Sequence, residues 1–416
     1  MPLLLNRRAW CVFRLANLFE NKMRKIENFN LLILLIALAA VGQMTQTVYV
    51  PVIADMAVYF SEPSGSVQRV MAAYLFTYGF SQLVYGPLSD QIGRRPVILA
   101  GMVIFLLSTT LAIFAPTLDV LVLASGLQGL GTGVAGVMVR TMPRDLYKGT
   151  SLRYANSLLN MGVLVSPLLA PMFGGLLAHF WGWHACYIFL FVLGAFVLLS
   201  MYRWLPETRP VSPEKHKMLA SFRQLLSSGS FVSYLVMLIG ALAGIAVFES
   251  SSGVLMGGVL GLNSITVSIL FIIPIPAAFF GAWFAGRDGK SFYTLMWQSV
   301  ICCLIAGLMM WIPGWFGVMN IWTLLVPASV FFFGAGMLFP LATTGAMEPF
   351  PYLAGAAGAL VGGMQNVGSG VATWVSALLP QNGQFSLGLL MFLMSMLVLL
   401  CWLPIAHRMD RTEHTV

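Results

Sequence analysis

The sequence predicts an all-α membrane protein with twelve transmembrane helices in two six-helix halves. Three observations carry that reading. Only 9% of the residues are charged while 59% are hydrophobic; apolar runs of spanning length recur twelve times; and the longest polar interruption follows the sixth. A soluble domain carries about 25% charged residues, so lipid must be the main solvent here.

A helix that crosses the hydrocarbon core needs about 20 mostly apolar residues, and all its backbone groups must pair internally. Such runs lie at 30–50, 67–86, 95–115, 118–139, 155–178, 183–205, 230–257, 264–286, 292–312, 318–342, 353–379 and 385–406. Pro167 with Pro171 and Pro274 with Pro276 fall inside such runs and read as tolerated or used as kinks. The chain divides into a segment 1–29, a half 30–205, a linker 206–229, a half 230–406 and a tail 407–416. In the first segment, Arg7 and Arg8 precede an apolar stretch that is too short to span and lacks a small-residue cleavage site. Met23-Arg24-Lys25 makes a natural start, so 1–22 is read as an upstream extension, with an amphipathic surface helix as the alternative.

Charge sets the orientation. If the N-terminus is cytoplasmic, the inner segments collect Lys22, Arg24, Lys25, Arg94, Arg95, Arg140, Arg144, Lys148, Arg153, Arg203, Arg209, Lys215, Lys217, Arg223, Arg287, Lys290, Arg408 and Arg411. The outer loops hold Arg69. The positive-inside rule then places both termini in the cytoplasm. It also accounts for the net charge of +8 without nucleic acid. Cys11, Cys186, Cys302, Cys303 and Cys401 form no disulfide framework and read as small apolar fillers.

Two motif matches fail on context. The Gly-Lys-Ser at 289–291 has Phe284 where a phosphate loop needs glycine, and no strand precedes it. The glycines of Gly131-Thr132-Gly133-Val134-Ala135-Gly136 lie inside an apolar span, where small residues permit close helix packing. His179 and His184 flank an outer loop and read as interfacial rather than metal-binding. Nothing points to an enzyme or a metal site.

The charged run Gly86-Pro87-Leu88-Ser89-Asp90-Gln91-Ile92-Gly93-Arg94-Arg95 lies between two apolar spans and reads as a short hairpin. Its pattern, Gly-x-Leu-x-Asp-x-x-Gly-Arg-Arg, resembles the signature loop of the major facilitator superfamily, with Gln91 where a cation is usual. A degenerate echo, Gly281 to Lys290, occupies the corresponding place in the second half. Gly162, Pro167, Pro171, Gly174 and Gly175 in the fifth span resemble the antiporter motif of that family, with Ala170 replacing one glycine. Tyr49 to Met56 and Trp204-Leu205-Pro206-Glu207-Thr208 are similar to stretches of its proton-linked drug exporters. The arginine that such members often carry in the fourth span is here Ser125; Arg140, at the inner end of that span, is the candidate for gating.

The resemblance implies a proton-coupled multidrug efflux transporter of the bacterial inner membrane that works by alternating access. It would use the proton gradient, with no ATP or other cofactor. Lipophilic small molecules, protons and membrane lipid are the expected partners, and a monomer is the expected state. It also implies a latch. Asp90 would face the N-terminus of a second-half helix, the eleventh by preference, with Arg94 and Arg95 bonding across the halves. A metabolite or sugar transporter of the same fold is the alternative, expected to show more charge in its cavity. A membrane receptor would need a signalling domain for which there is no room.

The residues themselves point to the remaining candidates. Glu249 alone among the acidic residues sits well inside a span. A carboxylate there costs about 2.5–3.5 kcal/mol on insertion scales, so it should face a cavity or take up a proton. Asp55, by the outer end of the first span, is the competing proton site. Gln43 with Gln46, and Tyr74 with Tyr78 and Gln82, lie at helical spacing and should point their polar tips into a cavity. Phe271, Ile275 and Trp322 are the second-half candidates for an apolar, aromatic lining.

Overall fold

The computed structural model describes residues 29–209, 218–287 and 291–413. The extension 1–22, the linker lysines Lys215 and Lys217, and the close of the echo at Asp288 to Lys290 lie outside these residues.

Each of the twelve apolar runs forms helix. The first half comprises Phe29–Thr47, Ser64–Ile92, Arg94–Ile113, Leu118–Leu146, Gly149–Trp181 and His184–Trp204. The second comprises Gly229–Gly253, Ser264–Ile272 continued by Ile275–Ala285, Phe292–Trp315, Ile321–Met347, Ala354–Leu378 and Phe385–Glu413. Pro274 marks the break in the eighth span. Polar caps start several helices: the side chains of Thr117, Ser228, Asn263, Ser291 and Asn320 each accept a bond from a first-turn amide.

Ten of the spans are apolar enough to cross a membrane on composition alone. The other two, the second and the eleventh, pack lengthwise against each other. Glycines such as Gly79, Gly363 and Gly370 therefore lie against the partner helix.

Helix pairing repeats between the halves. The second span packs on the fourth, the third on the fourth, the first on the fifth and the third on the sixth. In the second half the eighth packs on the tenth, the ninth on the tenth, the seventh on the eleventh and the ninth on the twelfth. Across the halves the second meets the eleventh and the fifth meets the eighth. This is the geometry of a parallel repeat about an axis along the membrane normal.

Most helices run past the apolar limits read from sequence. The second continues through Gly86 and Pro87 to Ile92, so the expected hairpin is mostly helix and the chain turns at Gly93 alone. Gly93 has φ +108°, a conformation that side chains strongly disfavour. The fourth span likewise runs on through Arg140 and Asp145. Polar residues end the membrane segment without ending the helix, because Arg and Gln are good helix formers once water or headgroups solvate them.

The fifth span is wedged between two neighbours. Gly162 lies against Ile36 of the first span, and Gly175 against Ser264 and Ser268 of the eighth, in the opposite half. A Cβ on Gly174 would overlap the backbone oxygen of Val48. Pro167 and Pro171 are accommodated inside this continuous helix. Gly174→Ala should therefore lower thermal stability in detergent by about 1–3 kcal/mol, the usual cost of overpacking. An unchanged melting temperature would show that the first span can yield.

Candidate functional site

A cavity of about 1140 Å³ opens at the end that carries the arginines, between the second, fourth, tenth and eleventh spans. Gln82, Asp90, Arg140 and Arg144 line one wall; Phe339, Met347, Ala356 and Gln365 line the other. Arg140 reaches across the halves and donates from Nη1 to the Gly358 carbonyl at 3.3 Å. It makes the kind of bond between halves that was expected of Arg94 and Arg95.

Those two arginines bond inside the first half instead. The Arg94 side chain is buried; it pairs with Asp90, donates from Nε to Asp145 Oδ2 at 3.1 Å, and bonds Ser89. Arg95 donates to the Tyr202 carbonyl at 2.8 Å. The latch expected across the halves is thus, in this conformation, a clamp tying the second, third and fourth spans together. Asp90 is close enough in sequence to cap its own arginine, and the fourth span ends beside it. In the echo, Arg287 lies 4.5 Å from the ring centroid of Trp283.

Glu207 completes the clamp. Its carboxylate accepts from the amides of Arg94 at 2.8 Å, Arg95 at 3.2 Å, Thr208 at 3.1 Å and Arg209 at 3.0 Å. Burial alone would raise this carboxyl, but the four amides together hold it below its ordinary value of 4.5. A depressed folded-state value stabilises the fold above the unfolded value, and the contribution is lost as pH falls through the lowered one. The wild type should thus melt above Glu207→Gln at neutral pH, and the gap should close on acidification below about pH 4. A gap that persists in acid would remove the carboxylate from this role.

At the opposite end the halves are closed. Gln46 Nε2 donates to Glu249 Oε2 at 2.9 Å, joining the first span to the seventh, and Glu249 is buried. Asp55 is exposed, in the first turn of a short helix, Ile53–Phe60. The structure thus distinguishes the two proton candidates: one carboxylate bridges the halves and the other faces outward.

Of the eight side chains expected to line the cavity, Gln82 does so. Tyr74 is buried, with its hydroxyl bonded to the Gly42 carbonyl at 2.6 Å and 2.9 Å from Thr132 Oγ1. Its ring stacks on that of Tyr78, and Tyr78 bonds Gln43. Gln46 is taken up by Glu249, and Phe271 and Ile275 are buried in protein. Trp322 is 73% exposed at the rim of the tenth span. These side chains fall short of the cavity because protein neighbours take up most of them, while Trp322 lies at the outer rim. Helical spacing names the shared face of a helix but not which end of that face is open. Among the described residues, no group of three His, Cys, Asp or Glu side chains could hold a metal.

Residues 34–373 match the model of the Major Facilitator Superfamily. The chain belongs to that superfamily. It is 67% identical to Multidrug resistance protein D of Escherichia coli over 95% of this chain and all of that protein. It is 26% identical to a chloramphenicol resistance protein of Pseudomonas aeruginosa, over 80% of each. The solved structure of the multidrug transporter EmrD from Escherichia coli is 68% identical and covers 89% of this chain and 99% of its own, with a TM-score of 0.44.

Within this superfamily member, sequence reasoning missed Asp145, Glu207 as a clamp residue, and Gln365. Asp145 was detectable as the lone acid within Arg140-Thr141-Met142-Pro143-Arg144-Asp145, a position that calls for a cationic partner. Gln365 had a weaker signal, a polar side chain in a glycine-rich span. The cavity mouth also carries more charge than expected. Arg94, Arg140, Arg144 and Arg209 line it with Asp90 and Asp145, and both acids pair with Arg94.

Proposed function

We propose that this chain is a proton-coupled multidrug efflux transporter that moves lipophilic, amphipathic compounds out across the bacterial inner membrane by alternating access. The observation that carries the reading is a cavity open at one end of the bundle, with the far end closed around a buried carboxylate bonded between the halves. The arginines of the spans concentrate at the open end, and the positive-inside rule supports a cytoplasmic position for that end and for both termini. The cavity is then poised to load from the cytoplasm or inner leaflet. Its second-half wall, with Phe339 and Met347, suits shape-tolerant apolar contacts.

Glu249 is the proton-linked group. A hydrogen bond to an ionised carboxylate is roughly twice as strong as a neutral one. Uptake of a proton at Glu249 weakens the Gln46 bond, so the proton on this residue and the closure of the far end are coupled. The proton gradient drives the cycle, without ATP or another cofactor, in a monomer surrounded by lipid. The excess of arginines over acids at the mouth favours a second reading, export of an anionic metabolite on the same fold. Everted vesicles with an imposed proton gradient separate the two. Accumulation of a lipophilic dye supports drug efflux; no accumulation, with uptake of an anionic metabolite instead, overturns it.

A further inference from the structure

Span seven carries four consecutive buried polar residues, Glu249, Ser250, Ser251 and Ser252, in an otherwise apolar helix. Ser250 and Ser252 satisfy themselves on their own helix, donating to the carbonyls of Val247 and Glu249. Ser251 does not. Its hydroxyl meets Gln68 Nε2 of the second span at 3.4 Å and Ser376 Oγ of the eleventh at 3.2 Å. Gln381 continues the chain, donating from Nε2 to the Ser376 carbonyl at 2.8 Å. Gln68, Ser251 and Ser376 have no exposed surface.

We infer that Gln68, Ser251 and Ser376 form the latch that holds the far end of the transporter shut. The inference rests on the alternating-access reading and adds to it the residues that set the closed population. Gln68 belongs to the first half, and Ser251 and Ser376 to the second, so opening that end must break this chain of bonds. The halves approach closely beside it: a Cβ on Gly253 would overlap the Val50 backbone oxygen.

The latch is also built to release. Its Gln68–Ser251 bond is long, and among the described residues the amide oxygen of Gln68 has no protein partner. Among the described residues the amide oxygen of Gln381 and the hydroxyl of Thr373, one turn before Ser376, are also without protein partners. A seam closed by one long bond is held less firmly than one that bonds each of its polar atoms to protein. Directly after Gly253 the seventh span widens into a π-helical segment, Val254–Val259, with Leu260 N bonded to Leu255 O at 2.8 Å. Such segments are rare and are frequent at functional sites. This one gives the end of the seventh span a place to shift when Ser251 lets go.

The test uses the full chain in lipid nanodiscs, with native cysteines replaced and spin labels on Glu62→Cys and Asn382→Cys, two exposed positions flanking the seam. Pulsed distance measurements without substrate or gradient read the closed and open populations. Gln68→Leu should shift the closed-to-open ratio about fivefold toward open, the equivalent of one buried hydrogen bond. Ser251→Ala removes the same bond with minimal volume change and gives the same shift if the leucine variant fails to insert. Ser108→Ala, which removes a buried hydroxyl bonded only within its own helix, should leave the ratio unchanged. Unchanged distances in Ser251→Ala, or an equal shift in Ser108→Ala, overturn the latch. Failure of dye accumulation by wild-type vesicles would overturn the transport reading without altering these distances.

Discussion

Glu249→Gln should abolish gradient-driven efflux, reducing dye accumulation in everted vesicles to the level without a gradient, while the protein still folds and binds ligand. The glutamine matches the size of a protonated carboxyl and keeps a partner for Gln46, but it can neither take up nor release a proton. Insertion is not impaired, because a neutral side chain replaces one that costs about 2.5–3.5 kcal/mol to place in hydrocarbon when charged. The comparison that decides is with Asp55→Asn, which alters an exposed carboxylate in no bond between the halves. Drug-driven proton release, measured in detergent, should be lost in the first variant and retained in the second. Loss in the Asp55 variant alone would move the coupling to the first span.

The second large effect falls on the clamp at the cavity mouth. Arg94→Ala should cost about 3–5 kcal/mol, the usual penalty for removing one partner of a buried ion pair. It strands Asp145, whose side chain is only 10% exposed, along with Ser89. The two acids should then differ. Asp145→Asn breaks the buried contact, whereas the Asp90 side chain is 49% exposed, and Asp90→Asn should cost no more than about 1 kcal/mol, as surface ion pairs do. Thermal melts in detergent order the variants: Arg94→Ala lowest, then Asp145→Asn, then Asp90→Asn near wild type. An Asp90→Asn loss as large as that of Arg94→Ala would restore the signature acid to the central role that the sequence pattern first gave it.

The spans and their number were legible along the chain because lipid acts on each segment separately. A run of about twenty apolar residues must become helix whatever its neighbours do, and a loop rich in Arg is held on one side of the bilayer by its own charge. The second and eleventh spans were the least apolar of the set, and the reason is visible only in three dimensions: they face one another. Glu249 could be singled out from sequence by its cost in hydrocarbon, which is again a property of one residue in one solvent.

Its partner could not. Gln46 lies 203 positions away, Glu207 reaches back 113 to the Arg94 amide, and Arg140 reaches 218 forward to Gly358. Nothing in the residues near either end of these bonds specifies the other, because each forms only after separate helices pack. The same holds for the open and closed ends. Helical spacing placed Gln43, Gln46, Tyr74, Tyr78 and Gln82 on shared faces, yet only packing of the two halves determined that Gln82 meets the cavity while Tyr74 is closed within protein and Gln46 bonds Glu249. Hydropathy and charge act locally and are written in the sequence. Which polar groups meet across the seam depends on how the halves pack, and that was decided by the tertiary structure alone.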